Sequence, residues 1–163
     1  EFFGDLNGWI KEKDTLEFII QLRDEIKEKF DLPITIGASK SKWIAKLLTD
    51  KNKPFGAFVL QQEAVFSYTF NIPIEEFCGI GRRIEKKLKA YHIKTIGQLH
   101  QSKHLLKPYG KYGDDLYKRI CGTDDEKVIP RHDRKGIGIS RNFAAIEDRN
   151  ELLRRVTILA RYL

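Results

Sequence analysis

The sequence predicts an α+β fold, in which a partial sheet with helices is followed by a small all-α domain. Strand-like and helix-like segments alternate over residues 1–60, which is typical of half of a sheet domain. From Ile72 onward the pattern changes to short helical pieces separated by glycine-rich turns. With 163 residues, the chain is long enough to form one domain or two small ones.

The first helix is predicted to follow a strand end. Residues 1–6 are largely apolar and are followed by the turn signal Asn7-Gly8, which suits the last part of a strand. Asp14 stands three residues before Glu17 and should cap the helix that begins there. The mostly apolar face of this helix comprises Leu16, Ile19, Ile20, Arg23, Ile26 and Phe30.

Two more strands are predicted on either side of a second helix. The run after Pro33 is typical of a buried strand that stops at Gly37, and residues 56–60 supply another. Ser39 is expected to cap the helix between them. The side chains expected to point inward from this helix are Trp43, Ile44, Leu47 and Leu48.

The rest of the chain is predicted to be mainly helical. Its helices should break at residues 79–81, 94–97, 109–113 and 122–125. Asp114 and Asp115 are interpreted as caps, and residues 124–126 as a solvated acidic turn. Residues 128–143 are basic and lack a helical period, whereas the final residues regain one, as expected for a linker and a truncated third unit.

Charge points to a polyanionic partner. Lys and Arg number 30 against 23 Asp and Glu, giving a net charge of +7 and a pI near 9.4. No apolar run is long enough to span a bilayer and no signal peptide is evident, so a cytoplasmic location is expected. Because the chain starts at Glu1 and contains no Met, we expect the natural start to lie upstream.

Cysteine and histidine spacing supports neither a zinc site nor a disulfide framework. Cys78 and Cys121 are 43 positions apart and lie in no Cys-x-x-Cys pattern. His100 and His104 fall at i and i+4, but no neighbouring Glu completes a hydrolase signature. We interpret the thiols as idle and both histidines as surface residues.

The stretch "CGIGRRIEKK" places a tight glycine turn beside a row of cations. Gly79 and Gly81 allow two helices to meet closely, and Ile80 should plug into the core between them. The N-terminus of the second helix would then offer free backbone N–H groups and a partial positive charge to a phosphate. A helical hairpin with a merely solvated basic face explains the local pattern equally well. The apolar face should comprise Ile80, Ile84, Leu88 and Tyr91, with Arg82, Arg83, Lys86, Lys87 and Lys89 exposed.

A second turn has a similar but less regular pattern of glycines beside a cation. Gly110 and Gly113 stand around Lys111, and a helix follows them. We therefore interpret this turn as a second candidate phosphate contact.

Four stretches in this order resemble the palm–thumb segment of Y-family translesion DNA polymerases of the polymerase IV/V type. "PITIGASKSKWIAKLLTDKNKPFG" is similar to the palm segment with Gly-x-Ser, Lys-x-x-Ala-Lys and Lys-Pro-x-Gly. "IPIEEFCGIGRRIEKKLKAYHIKTIGQL" resembles the helix-hairpin-helix of the thumb. "LYKRICGTDDEKV" resembles the end of the thumb, and "RKGIGISRNF" the start of the little finger. The resemblance departs from the family pattern at Cys78, where proline is usual, and at Trp43, where smaller aliphatic residues are usual.

The resemblance implies a domain division and an activity. Residues 1–66 would be the C-terminal part of the palm, 67–128 the thumb, and 129–163 a linker with the beginning of the little finger. The parent protein would be a nucleotidyltransferase that works in DNA repair and uses two Mg²⁺ ions for phosphoryl transfer. Its partners would be primer–template DNA and a deoxynucleoside triphosphate, and a sliding clamp is left open as a further one.

The resemblance also implies roles for individual residues. Glu1 matches the glutamate that closes the Ser-x-Asp-Glu motif, so it would be a catalytic residue and a metal ligand. Lys53 matches the lysine that reaches the incoming triphosphate, whereas Lys46 is interpreted as a helix-surface residue. The residues expected to contact the DNA backbone are Gly79, Ile80, Gly81, Arg82, Arg83, Lys86, Gly110, Lys111 and Gly113.

Two alternatives to a polymerase segment remain open at this point. A non-catalytic accessory module for damaged DNA could derive from the same family, and a repair enzyme of another class could carry a helix-hairpin-helix. The palm-like residues 1–60 argue against the second alternative. For the isolated chain we expect no primer extension and weak, salt-sensitive, sequence-independent DNA binding.

Overall fold

The computed structural model describes residues 1–129 and 136–162, so the middle of the predicted basic linker lies outside the described residues. The chain divides into two compact units, Glu1–Val128 and Ile129–Leu163. The first unit combines a small sheet with helices, which confirms the α+β prediction at this level. The boundary predicted between residues 66 and 67 stays a prediction. Within the described residues, no helix is long and apolar enough to cross a membrane.

The sheet of the first unit has two parallel strands, β1 (Ile36–Ala38) and β2 (Ala57–Val59). Their register places Ile36 opposite Ala57 and Ala38 opposite Val59. Helix α1 (Thr15–Phe30) precedes β1, and α2 (Lys42–Lys51) forms the crossover between the strands. Gly37 lets β1 approach α2 closely, because a Cβ there would lie 2.3 Å from the carbonyl oxygen of Ala45.

The predicted strand at residues 1–6 is wrong. These residues have no regular structure, and neither described strand pairs with them. Phe2 is almost fully exposed and Phe3 is 42% exposed, so neither aromatic side chain belongs to the core. A strand needs a neighbour for its N–H and C=O groups, and a local pattern cannot reveal whether one is present.

Of the two predicted helix caps, Asp14 occupies the N-cap position of α1 without a capping hydrogen bond, and Ser39 is the wrong residue. Residues Glu12–Asp14 already form a 3-10 turn, so Asp14 enters α1 in a helical conformation and its side chain caps nothing. The cap of α2 is Ser41 rather than Ser39, and its Oγ accepts from the N–H groups of Trp43 and Ile44. On α1, Ile19 is buried as predicted, whereas Phe30 is exposed.

The remaining helices of the first unit are short, as the glycine turns predict. They are α3 (Val65–Thr69), α4 (Arg82–Ala90), α5 (Ile96–Gln101) and α6 (Lys111–Cys121). Turns of 3-10 helix occupy Gln62–Ala64, Ile74–Glu76 and Lys103–Tyr109. The buried side chains of α2 and of the segments that follow it form one hydrophobic cluster, and β1 packs against α2 through Gly37.

Residues 124–126 do not form the solvated turn that the sequence suggests. The Ser41 hydroxyl donates to Asp124, and Glu126 accepts from Lys42 at 2.9 Å and from Arg119 at 2.5 Å. These bonds tie the chain after α6 to the start of α2. Asp114 and Asp115 likewise lie inside α6, whose N-cap is Gly110, so they are not caps.

The second unit contains one described helix, α7 (Arg149–Ala160). The Asp148 side chain caps it by accepting from the N–H of Asn150 at 2.9 Å. This helix confirms the helical period predicted for the end of the chain.

Replacing Gly113 by alanine should destabilise the first unit. A Cβ at this position would lie 2.1 Å from the backbone oxygen of Leu106, so the two segments must separate to accept it. Overpacking of this kind costs about 1–3 kcal/mol. Urea unfolding followed by circular dichroism should show this loss for Gly113→Ala. The matched control, Gly4→Ala, adds its Cβ in open space and should leave the midpoint unchanged. Equal midpoints for the two variants would contradict the close packing.

Glu126 should make stability depend on pH in the acidic range. Burial alone would raise the pKa of its carboxyl, but hydrogen bonds from Lys42 and Arg119 outweigh burial and hold the pKa below the ordinary 4.5. The folded state therefore binds this proton less readily than the unfolded chain. The stabilisation is complete above about pH 4.5 and is lost as the pH falls through the lower folded value.

The measurement compares Glu126→Gln with the unsubstituted protein across that pH range. At neutral pH the variant should be less stable by about 1 kcal/mol, since it loses two charge-assisted bonds that are partly screened. The difference in unfolding free energy should shrink as the pH falls, because protonation removes the same interaction from the unsubstituted protein. A difference that stays constant with pH would contradict an ionised Glu126 in the folded state.

Candidate nucleic-acid interface

The two glycine turns singled out in the sequence line one open cavity of about 640 Å³. Its walls come from the start of α4 on one side and from the turn that leads into α6 on the other. The lining residues are Gly81, Arg82, Arg83, Ile84, Lys87, Pro108, Tyr109 and Tyr112.

The first wall is shaped by the glycine turn before α4. Gly79 has φ +107°, a conformation that side-chain-bearing residues rarely adopt. Ile80 is buried, and its N–H donates to the carbonyl oxygen of Phe77 at 3.0 Å, which folds the turn back onto the core. Gly81 then leads into α4 in an extended conformation without a side-chain cap. The first turn of α4 therefore presents N–H groups that no side chain caps within the described part of the chain.

Tyr112 links the two walls. Its hydroxyl donates to the carbonyl oxygen of Gly79 at 2.5 Å, so the turn into α6 supports the turn into α4. Gly110 has φ +55° and allows the abrupt entry into α6. Gly113, by contrast, is buried against Leu106, and its role visible in the structure is close packing.

Positive charge surrounds the cavity unevenly. Arg82, Arg83 and Lys87 belong to its lining, and Lys86 is exposed on the same helix. Lys89 donates to Glu85 at 2.8 Å and to Glu75 at 2.9 Å, and these bonds raise the pKa of its ammonium group. Its charge is therefore already neutralised locally.

Sequence reasoning misplaced one residue of α4 and overlooked several of the cavity. Tyr91 is more than half exposed and does not share the buried face of Leu88, because α4 ends at Ala90. Tyr109 and Tyr112 were not singled out, although they alternate with the glycines in "KPYGKYG". The Lys87 ammonium lies 5.3 Å from the centre of the Tyr109 ring, within the range of a cation–π contact. Aromatic residues interleaved with glycine and lysine were the available signal.

The remaining predicted site residues form a separate chain of ion pairs. Lys46 Nζ lies 2.6 Å from a carboxylate oxygen of Glu1 and 3.4 Å from one of Asp50. Lys53 Nζ lies 2.8 Å from the other carboxylate oxygen of Asp50. The structure thus groups Glu1 with Lys53 through Lys46 and Asp50, none of which lines the cavity. The sequence suggested that Lys46 is only a helix-surface residue, but the structure places it between two carboxylates.

These contacts shift the pKa values of Lys46 and Asp50. The hydrogen bond to Glu1 is the main cause that raises the pKa of Lys46. The hydrogen bond from Lys53 is the main cause that lowers the pKa of Asp50. Both side chains are therefore held in their charged forms near neutral pH.

The described residues do not build a divalent-metal centre on their own. No three His, Cys, Asp or Glu side chains in residues 1–129 and 136–162 are grouped closely enough to hold a metal ion. Glu1 provides one carboxylate, and it is bonded to Lys46. A centre for two divalent metal ions needs several oxygen ligands, which this one carboxylate does not provide.

Comparison with known proteins gives a consistent result. The family model described as impB/mucB/samB matches residues 1–50. DNA polymerase IV of Oceanobacillus iheyensis is 36% identical over 150 residues, covering 88% of this chain and 35% of the relative. DNA polymerase IV of Francisella tularensis subsp. novicida is 32% identical over 146 residues, with 88% and 42% covered.

A solved structure agrees with these relatives. A Y-family DNA polymerase chimera of Dbh and Dpo4 has a TM-score of 0.63 and 28% identity, covering 73% of this chain and 36% of the chimera. The chain spans less than half the length of the curated relatives it matches. Family model, relatives and structure thus agree on one family, and the chain belongs to the Y-family of DNA polymerases.

Proposed function

We propose that the protein containing this chain is a DNA-directed DNA polymerase of the error-prone translesion type. Support comes from relatives named DNA polymerase IV that align with up to 88% of the chain. Their names do not favour a non-catalytic accessory module. As a nucleotidyltransferase, the protein would extend a primer with deoxynucleoside triphosphates during DNA repair.

Within that protein, we assign residues 67–128 to a helix-hairpin-helix thumb that holds the primer–template backbone. The cavity between two glycine turns carries this proposal, because it combines uncapped helix N–H groups with arginine and lysine side chains. Such groups bind phosphate without contacting base edges, so binding would be independent of sequence. The residues assigned to backbone contact are Gly79, Gly81, Arg82, Arg83, Lys86, Gly110 and Lys111. Ile80 was predicted to be among them, but it is buried and its N–H is bonded to Phe77, so we assign it to holding the turn. Gly113 contributes only through its place in the first turn of α6.

The nucleotide is assigned to the palm, residues 1–66. Lys53 is 60% exposed and would exchange its bond with Asp50 for the triphosphate, whose negative charge a cation at this position attracts in the bound nucleotide. Glu1 would be one ligand of two Mg²⁺ ions and would leave Lys46 to bind them.

Residues 129–163 would be the linker and the beginning of the little finger. A cytoplasmic location and recruitment by a sliding clamp belong to the same proposal.

The enzymatic proposal is tested by primer extension. The full-length protein should extend a primed template in the presence of Mg²⁺ and all four deoxynucleoside triphosphates. The chain of residues 1–163 alone should not, because its described residues lack a complete metal centre. Extension by this chain would show that its catalytic groups have been wrongly located. Failure of a folded, DNA-binding full-length protein would support the accessory module instead.

The thumb proposal is tested by removing the cations of α4. Arg82→Ala, Arg83→Ala and Lys86→Ala together should weaken duplex binding by at least tenfold at low salt. For every phosphate that the variant no longer binds, the slope of log affinity against log salt should become flatter by about 0.9. Fluorescence anisotropy with a labelled primer–template across a salt series measures both quantities.

The matched control removes the same charge elsewhere in the first unit. Lys11→Ala, Lys13→Ala and Lys29→Ala together change exposed residues outside the cavity. This control should keep the original salt slope. Equal slopes for the two triple variants would contradict phosphate binding at α4.

A further inference from the structure

We propose that Arg23 and Phe55 form a clamp that positions the loop carrying Lys53 for the incoming triphosphate. Arg23 lies on α1 and Phe55 at the tip of the loop, residues 53–55, between α2 and β2. The inference rests on the nucleotide role proposed for Lys53. It adds two positioning residues, neither of which would touch the nucleotide.

Both ends of the loop are fixed by the sheet and by α2. At one end, the backbone N–H of Asn52 donates to the carbonyl oxygen of Leu48 at 3.1 Å, and its side-chain amide donates there at 2.7 Å. At the other end, the carbonyl oxygen of Gly56 accepts from Ile36 at 2.9 Å. Gly56 is also closely packed, since a Cβ there would lie 2.6 Å from the oxygen of Asn52. These contacts fix the two ends of the loop, but they leave the backbone conformation of its tip undetermined.

The tip adopts a backbone conformation that its residue type disfavours. Phe55 has φ +57°, in the left-handed region that an aromatic residue rarely enters. Such a conformation persists where the surroundings impose it, and it is often found beside functional groups. We therefore infer that the surroundings of Phe55 hold it in this conformation.

Arg23 supplies that contact at two points. The Cζ atom of its guanidinium lies 4.4 Å from the centre of the Phe55 ring, which is a cation–π geometry. Its Nη1 donates to the carbonyl oxygen of Phe55 at 3.4 Å. A single side chain from α1 thus holds both the ring and the backbone of the tip.

The surroundings of Arg23 suit positioning better than phosphate binding. Its side chain is 18% exposed and lies on a face of α1 that is otherwise mostly apolar. Asp24 accepts from its Nε at 2.8 Å and lies 2.7 Å from its Nη2, so the charge is already paired. An arginine held in this way offers a planar surface and a directed donor to the loop.

The consequence concerns Lys53, two residues before Phe55. If the tip relaxed to a common backbone conformation, the backbone of Lys53 would shift and its side chain would leave the loop in a different direction. Because the attraction between Lys53 and the triphosphate weakens with distance, the affinity for the nucleotide should fall while DNA binding stays unchanged. Loss of nucleotide binding alone raises KM and leaves kcat nearly constant.

The experiment measures single-nucleotide insertion by the full-length polymerase on a primed template. Arg23→Leu and Phe55→Leu should each raise KM for the nucleotide about three- to tenfold, with little change in kcat. The double variant should be no worse than the more affected single variant, because either change alone opens the clamp. Arg23→Lys should restore part of the loss, since a cation can still lie over the ring.

Controls separate this effect from misfolding and from failure of the proposed function. Lys27→Leu, one turn further along α1, should leave KM unchanged, and all variants should keep the thermal midpoint and the DNA affinity of the unsubstituted protein. Unchanged KM in both Arg23→Leu and Phe55→Leu, beside a raised KM in Lys53→Ala, would overturn the clamp alone. Unchanged KM in Lys53→Ala would overturn the nucleotide role of Lys53 and the clamp with it. Phe55→Leu decides the matter if Arg23→Leu fails to fold, because Phe55 lies in a partly exposed loop.

Discussion

The structure of the first unit depends on how α2 is held. Ile44, Leu47 and Leu48 are buried in the hydrophobic cluster that α2 shares with the helices after it, and Gly37 lets β1 lie directly against the same helix. Burial of three such side chains contributes about 1.5–3 kcal/mol each, which makes this face of α2 a large part of the core. Since β1 and β2 are joined through α2, neither the sheet nor the helices after it would keep their positions without this packing.

Polar contacts fix the start of α2 as firmly as apolar ones fix its face. Ser41 caps the helix and donates to Asp124, so one buried hydroxyl joins the cap to the chain after α6. The indole of Trp43 lies beneath the Arg119 guanidinium, with Cζ 4.1 Å from the ring centre. This contact gives a packing role to Trp43, at which the resemblance led us to expect a smaller aliphatic residue. The ring packs on one face of the Arg119 guanidinium, whose Nε donates to Glu126.

Local patterns predicted most helices, because helical period and glycine turns depend on residues near one another in sequence. The turn at Gly79 was predictable for this reason, as was the burial of Ile80. The cap of α2 was missed because Ser39 and Ser41 are equivalent by local rules, and the choice depends on Asp124, which lies 83 residues from Ser41. The strand predicted at residues 1–6 was wrong for a similar reason, because a strand requires a pairing partner that is distant in sequence and neither described strand pairs with this segment. Likewise, the cavity was foreseen only as two separate turns, since the Tyr112–Gly79 bond joins residues 33 positions apart.

The same helix relates the two candidate sites to each other. Trp43 meets α6 at the start of α2, whereas Asp50 lies at its end and pairs with Lys53. A helix of 10 residues is about 15 Å long and nearly rigid, so α6 and the Lys53 loop are held at a fixed separation. Because α6 also carries Tyr112, which supports the turn before α4, the cavity is fixed to the same frame. A grip on the DNA backbone would then set the position of the duplex relative to the nucleotide through packing alone, without any contact to a base.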